Sequence, residues 1–391
     1  MFIRITDINK TVKDLVGRKA YNCGILRQSG INCPDGIVLT YEIDKEDMIE
    51  LKEYLKVDGL YGIRSSMSDE DSEHFSCAGK YETRLCVKGK DVIDNIHEML
   101  QEMDIELESK ALLVQEMIPA EASGVLFTRN PLTGEDSVVI NASYGAGENV
   151  VSGLSNPDCY EIIEGKIKKM IEDKSIVFSY GYDSFPGEHL IFNGCDVRTV
   201  ISNDYKTIHS IFYSDKRKAV LSDENIEGLV NLSKRIRDIF GEDLDIEFCI
   251  YKNRIYILQV RPITAITKIS EKKCILNMKK GNMVIKGKAA SSGCFKGKVL
   301  FINYYDNKLI EKIEKNDEKR VLVTLELTPE LLYKIDNIGA IVTSKSGILS
   351  HGAIVARERR IPCVVGLLDK IFELKDGTEV FVNGDTGEVI I

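Results

Sequence analysis

The chain has no tryptophan, only eight prolines and five histidines in 391 residues, and none of its ten cysteines forms a CxxC pair. The last absence argues against a zinc ribbon and a disulfide framework, so most cysteines are expected to be small buried hydrophobes. His74, His97, His189 and His209 show no metal-ligand spacing. No GxxxxGK[ST] occurs, and the nearest approach, GNMVIKGKA from Gly281, has the wrong spacing and lacks the hydroxyl, which excludes a P-loop. No apolar run approaches the roughly 18 residues of a membrane span. The N-terminal MFIRITDINKTVKDL carries charges throughout and lacks a signal peptide's apolar stretch, so a cytosolic protein is expected. Basic residues are outnumbered 52 to 61, for a net charge of −9, which speaks against nucleic acid as a partner.

The charge is unevenly spread. Residues 266–391 hold 21 basic and 16 acidic side chains, a net +5, leaving −14 on residues 1–265. The Lys-rich stretch AITKISEKKCILNMKKGNMVI sits at this break without sustained periodicity. The expectation is two bodies, residues 1–265 and 286–391, with 266–285 as a linker. In the first, helical patterns such as DVIDNIHEMLQEM and EGLVNLSKRIRDIF mix with strands such as SGVLFT, SVVINA, IEFCIY and RIYILQV without a strict βαβ rhythm, which predicts an α+β nucleotide fold. The second reads as α/β: a charged helix LIEKIEKNDEKR, strands VLVTL and AIVTS, helix SHGAIVARERR, then strands IPCVVG, EVFV and EVII.

The hairpin DLDIEFCIYKNRIYILQVRPIT carries the most chemistry. A three-residue loop of Lys252, Asn253 and Arg254 would set Glu247 opposite Gln259 and Asp245 opposite Arg261, with Ile246, Phe248, Ile250, Tyr256, Leu258 and Val260 on the apolar face. Cross-strand Cβ atoms are about 5 Å apart, so Glu247 and Gln259 could offer two hard oxygens to one Mg²⁺, with Arg261 beside them for phosphate. A two-residue loop would turn Gln259 to the wrong face, and the pattern equally fits a solvent-facing polar side. Arg64 in YGIRSSM could fork onto a polyphosphate or merely precede a capped helix. Lys19 in VGRKAYNCGIL is an ordinary lysine unless recruited. GENVVSG is a phosphate-approaching or a structural turn. His351, directly after a Gly/Ser turn at a predicted helix start, is either an incidental helix-start residue or placed where free N–H groups favour a phosphoryl group on the imidazole.

Taken in order, RSS, SCAGKYET, GVLFTRNPLTG, GAGENVVSG, DIE, LQVRPIT and SHGAIVARERRIPCVVG resemble the phosphoenolpyruvate synthase and pyruvate phosphate dikinase family, across almost the whole chain. The resemblance implies an N-terminal ATP-grasp domain and a C-terminal swivelling phosphohistidine domain. It implies Lys19 and Arg64 on ATP phosphates, Glu247 and Gln259 on Mg²⁺, Asp245 and Arg261 completing that site, and the adenine against the backbone of Gln115, Glu116 and Met117. Arg129 and Glu148 would be further nucleotide-site residues and His351 the phosphorylated histidine. The chain departs from the family's GGxTSH in reading SGILSH, with Ser346 and Leu349, so a regulatory phosphorylation on that threonine is not expected. It stops at Ile391, soon after the histidine domain, so the phosphoenolpyruvate/pyruvate-binding barrel is expected to be missing. The implied function is an ATP-dependent dikinase-type phosphotransferase that phosphorylates His351, giving AMP and phosphate, and passes the phosphoryl to an acceptor on a separate subunit. The alternatives are a compact small-molecule kinase with its acceptor between the two domains, and a carrier or regulator that labels itself without turnover.

Overall fold

A computed structural model describes residues 1–40, 44–67, 83–102, 110–151, 157–181, 185–203, 206–263, 283–302, 318–325, 327, 338–344, 348 and 351–391. The first sheet is antiparallel, formed by Phe2–Arg4 (β1), Gly36–Thr40 (β2), Leu60–Met67 (β3), Thr83–Lys88 (β4) and Lys110–Glu116 (β5) in the order β1-β2-β5-β3-β4. Its residues alternate between two cores. Ile37, Leu39, Leu112 and Val114 face helices Lys45–Tyr54 (α2) and Val92–Glu102 (α3), whereas Val38, Ala111 and Leu113 face helix Lys13–Gln28 (α1). Helix α3 buries Val92, Ile96 and Met99, at spacings of four and three that line one helical face.

The second sheet is also antiparallel: Arg254–Pro262 (β15), Leu244–Tyr251 (β14), Ala122–Phe127 (β6), Val138–Tyr144 (β7), Asp158–Ile163 (β8) and Lys166–Met170 (β9), in that spatial order. Helix Asp223–Phe240 (α5) packs Ile226, Leu229 and Ile236 into the same core as Phe248 and Val260. Its ends are set by sequence. Ser222 and Asn225 form a reciprocal capping box, and Gly241, at φ 74°, closes the helix in the left-handed conformation. A smaller sheet of Ile176–Tyr180 (β10), His189–Phe192 (β11), Cys195–Ser202 (β12) and Lys206–Ile211 (β13) joins this core, and α1 closes it against β15.

The strands from residue 284 onward form an eight-stranded mixed sheet. Their spatial order is Val284–Lys286 (β16), Glu388–Ile390 (β23), Glu379–Asn383 (β22), Cys294–Ile302 (β18), Arg320–Thr324 (β19), Ile338–Thr343 (β20), Cys363–Val365 (β21) and Lys288–Ser291 (β17). The run β18-β19-β20-β21 is parallel and buried on both faces, as such strands usually are. Leu322 and Ile341 face helix His351–Glu358 (α6), while Val321, Val323 and Val342 face the opposite core. The predicted strands EVFV and EVII are β22 and β23, and SHGAIVARERR contains α6. Two expectations change. Val284 and Ile285, read as linker, belong to β16 because they pair with Ile390 and Val389 at the sheet edge; the linker from 266 to 282 and most of LIEKIEKNDEKR lie outside the described residues. Cys294 is disulfide-bonded, whereas the seven free cysteines among the described residues are all buried as expected. No helix among the described residues is long and apolar enough to cross a membrane.

Candidate active site

The polar face of the β14–β15 hairpin is the centre of the site. Glu247 pairs with Gln259 and Asp245 with Arg261, the register read from the sequence, but the route to it differs. The loop has two residues, not three: Lys252 and Asn253 both take positive φ, at 49° and 57°, and Tyr251 pairs with Arg254. The slip this causes is undone by a β-bulge. Phe248 pairs with Ile257 and Glu247 with Gln259, so Leu258 is the extra residue. The apolar face near the turn is therefore carried by Ile255 and Ile257, which join the core; Tyr256 and Leu258, expected there, do not.

Arg261 donates to Asp245 Oδ2 from both Nε and Nη2 at 2.8 Å, a two-point ion pair with Asp245 almost fully buried. From the first sheet, Arg64 on β3 places Nη1 3.5 Å from Gln259 Oε1. Helix α1 is fixed beside both. The Ala20 N–H donates to Ser66 Oγ (3.1 Å), two residues from Arg64, and Asn22 Nδ2 donates to the Val260 carbonyl (2.8 Å), next to Gln259. Lys19 precedes these anchors by one to three residues, just after Gly17, whose φ of 74° and ψ of 166° break the helix in a conformation only glycine adopts easily. Lys19, Arg64, Asp245, Glu247, Gln259 and Arg261 are thus carried by four elements, α1, β3, β14 and β15.

Gln115, Glu116, Met117 and Arg129 are engaged apart from this group. Gln115 is held in β5 between Gly36 and Gly62, and its Nε2 points at the sulfurs of Cys23 and Cys33. The Glu116 N–H donates to the Asp35 carbonyl and the Met117 N–H to the Leu60 carbonyl, both at 2.9 Å, while the Glu116 carboxylate pairs with Lys56. The amide hydrogens at this hinge are already used by the protein. Arg129 is engaged elsewhere: its guanidinium pairs with half-buried Asp243, which Arg237 also pairs at 2.8 Å, and donates to the Gly134 carbonyl. Glu148 opens a short helix, Glu148–Val151 (α4), its side chain lying outside the described residues, and the turn before it is tightly built. A side chain on Gly145 would meet the Phe178 carbonyl at 2.0 Å, and Asn149 bonds the backbone of Tyr144, Ala146 and Phe178.

Helix α6, which begins at His351, lies against the site. Ile354, in its first turn, and Arg357, in its second, line a narrow cleft with Phe127, Pro131, Asp245 and Arg261. Arg357 was not singled out from the sequence. It is buried and donates to the carbonyls of Ala290 and Ile348, both at 2.7 Å, so it ties the helix to β17 and to the turn before His351. Its signal was a charge within an otherwise small and apolar AIVAR run.

This arrangement lies within two matched families. Residues 45–282 match the pyruvate phosphate dikinase AMP/ATP-binding domain, and residues 316–387 the mobile domain of PEP-utilising enzymes. The chain belongs to the phosphoenolpyruvate synthase and pyruvate phosphate dikinase family. Among its relatives in that family, a probable phosphoenolpyruvate synthase of Archaeoglobus fulgidus is 33% identical over 98% of this chain and 57% of its own length. The phosphoenolpyruvate synthase of Pyrococcus furiosus is 30% identical over 97% of this chain and 48% of its own. The chain thus spans about half the length of the curated family members it matches. A D-alanine–D-alanine ligase from Bacillus anthracis superposes on 63% of the chain and 57% of its own at 11% identity and a TM-score of 0.31, too slight a likeness to bear on function. Arg64, Asp245, Glu247, Gln259 and Arg261 fall in the AMP/ATP-binding match and His351 in the mobile-domain match; Lys19 precedes both.

Proposed function

We propose that this chain is an ATP-dependent phosphotransferase of the dikinase type, in which an ATP-grasp body, residues 1–265, phosphorylates His351 on a separate histidine domain. The observation that carries the reading is the docking of the first turn of α6 against the Asp245–Arg261 face of the hairpin. Lys19 and Arg64 hold the polyphosphate from the side of the first sheet and Arg261 from the hairpin. Glu247 and Gln259, directly opposed on adjacent strands, supply one carboxylate and one amide oxygen, a hard donor set that fits Mg²⁺ with its remaining positions left to water and phosphate. Bound there, the metal would neutralise charge on the transferring phosphates. Because the N–H groups of Glu116 and Met117 are occupied, an adenine at this hinge would meet the carbonyls and side chains of Gln115–Met117.

In the reaction, the His351 imidazole attacks the β-phosphorus of ATP and AMP leaves; water then removes the terminal phosphate, so phosphohistidine remains. Delivery follows when the histidine domain moves away to an acceptor bound by a separate subunit. Support for a separate acceptor site comes from the cleft, which Ile354 and Ile263 already fill against Phe127. The test is product analysis by chromatography. Chain mixed with Mg-ATP alone should release AMP in an amount equal to the enzyme and then stop, and His351→Ala should release none. ADP as the only product would overturn the dikinase reading.

A further inference from the structure

Arg357, in the second turn of α6, is only 5% exposed, an uncommon setting for a charged side chain. Side chains on a helix tilt toward its N-terminus, so a long one in the second turn can reach the residues that precede the first. The Arg357 guanidinium does so. Its Nη1 donates at 2.7 Å to the carbonyl of Ile348, in the turn before His351, and at 2.7 Å to the carbonyl of Ala290 in β17. That strand is itself fixed, because Ala289 and Ser291 pair with Val364 and Cys363 of β21. One nitrogen thus fastens the turn before His351 to the edge of the sheet. On the other side of His351, the Gly352 backbone lies so close to Leu327 that a Cβ there would meet the Leu327 Cδ2 at 2.4 Å and Cβ at 2.9 Å. The backbone that carries His351 is therefore held both before and after it. The same stretch is where the histidine domain meets the nucleotide face. Ile348 packs into the core of its own domain and also against the apolar patch of Val125, Phe127 and Val139, while Arg357 lines the cleft with Asp245 and Arg261.

We infer that Arg357 is a positioning residue for phosphoryl transfer, fixing the Ile348 turn so that His351 is aimed at the nucleotide when α6 docks. The inference rests on the phosphohistidine reading above, to which it adds the group that orients the nucleophile. Transfer requires a near-attack geometry, and a misplacement of about 1 Å can cost about 100-fold in rate. A guanidinium suits the task. It stays protonated at any physiological pH, and its hydrogen bonds to carbonyls are charge-assisted, roughly twice as strong as neutral ones. Removing it takes the donor from the Ile348 and Ala290 carbonyls and loosens the turn from the sheet. The loss should fall on the transfer step and spare nucleotide binding, because Lys19, Arg64 and Glu247 are carried by α1, β3 and β14 of the other body.

The test compares the full chain with Arg357→Met, Arg357→Lys and Val382→Ala, the last a core residue on the opposite face of the same sheet. For each, the rate of His351 labelling from β-labelled ATP is measured across Mg-ATP concentrations, and amide hydrogen exchange is followed at Gly352 and Ala353. Arg357→Met should lower the maximal rate by about tenfold or more, leave the half-saturating Mg-ATP concentration within about twofold, and speed exchange at both amides. Arg357→Lys keeps the charge and a donor and should recover most of the rate and the protection. Val382→Ala should lower the denaturant midpoint yet label within about twofold of the unmodified chain, which separates lost positioning from lost stability. Normal labelling in Arg357→Met, or a change confined to the half-saturating concentration, would overturn the inference alone. A lost rate with unchanged exchange would assign Arg357 to the phosphates directly and overturn the positioning role, as would an equal loss in folded Val382→Ala. An unmodified chain that binds Mg-ATP and labels no histidine would overturn the phosphohistidine reading and the inference with it.

Discussion

At the scale of single residues the site is built from pairs, and each pair predicts a different loss. Glu247 faces the site from a strand whose other side carries Phe248 into the core, so Glu247→Ala should leave the melting temperature nearly unchanged. It should lower the rate of His351 labelling by about 100-fold or more, because a charge-neutralising ligand is removed where phosphoryl transfer depends on it. Arg129→Ala should behave in the opposite way. Its guanidinium serves Asp243, so stability should fall, read as a lower denaturant midpoint, while the labelling rate stays within about twofold of the unmodified chain once folded. A Glu247→Ala chain that labels normally would contradict the metal assignment. His209 gives a pH signature remote from the site. It is buried between Ser179 Oγ (2.8 Å) and Thr199 Oγ1 (3.3 Å), and burial pulls its pKa from 6.5 down to about 4. The unfolded chain therefore takes up a proton that the folded chain refuses between these values. The stability present above pH 6.5 should be lost as pH falls toward 4, by up to about 3 kcal/mol. Urea midpoints across that range should show the slope in the unmodified chain and a flatter one in His209→Gln.

At the scale of elements, the second sheet is fastened by one buried ion pair. Asp158 at the start of β8 and Lys174 are both wholly inaccessible, and Asp158 also accepts from the N–H groups of Glu172 (2.9 Å) and Val220 (2.8 Å) and from Tyr160 (3.0 Å). It therefore joins β8, the approach to β10 and the approach to α5. Lys174→Met leaves that carboxylate without its counter-charge and should cost about 3–5 kcal/mol in denaturant unfolding. The sequence made the strands around this pair legible through alternation, and made the polar face of the hairpin legible through residue type. It did not show how the hairpin reaches its register. Lys252-Asn253 lacks the glycine that normally marks a two-residue turn, and a bulge at Leu258 has no composition of its own, since it arises where Gln259 and Val260 are held by Arg64 and Asn22 from other parts of the fold. The partner of Arg129 was hidden for the same kind of reason: Asp243 is distant in sequence, and the motif FTRNPLTG does not reveal which acidic group pairs with the guanidinium. Arg357 was illegible because burial and contact, not residue type, give it meaning.

At the scale of the whole molecule, α6 meets the nucleotide face, among the described residues, through an apolar patch and the cleft it lines. Ile354 and Ile348 pack with Phe127 and Val139, and Lys288 pairs with Glu172 at 2.6 Å. The pair is partly exposed and worth at most about 1 kcal/mol, so the apolar contact sets the docking. Ile354→Asp should therefore lower the labelling rate by about tenfold or more while Mg-ATP affinity, read by calorimetry, stays within about twofold. Lys288→Ala should change neither by more than about twofold. Equal loss of binding and labelling in Ile354→Asp would mean that α6 is part of the nucleotide pocket, against the separation of roles proposed for the two bodies. The central claim is that ATP gives its β-phosphoryl to His351, and the most direct measurement uses ATP labelled at either the β or the γ phosphorus. After incubation with Mg²⁺, β-label should be retained on the chain in an acid-labile, base-stable form that His351→Ala lacks, and γ-label should appear as free phosphate. Retention of γ-label with β-label released in ADP, or β-label that survives in His351→Ala, would contradict the account.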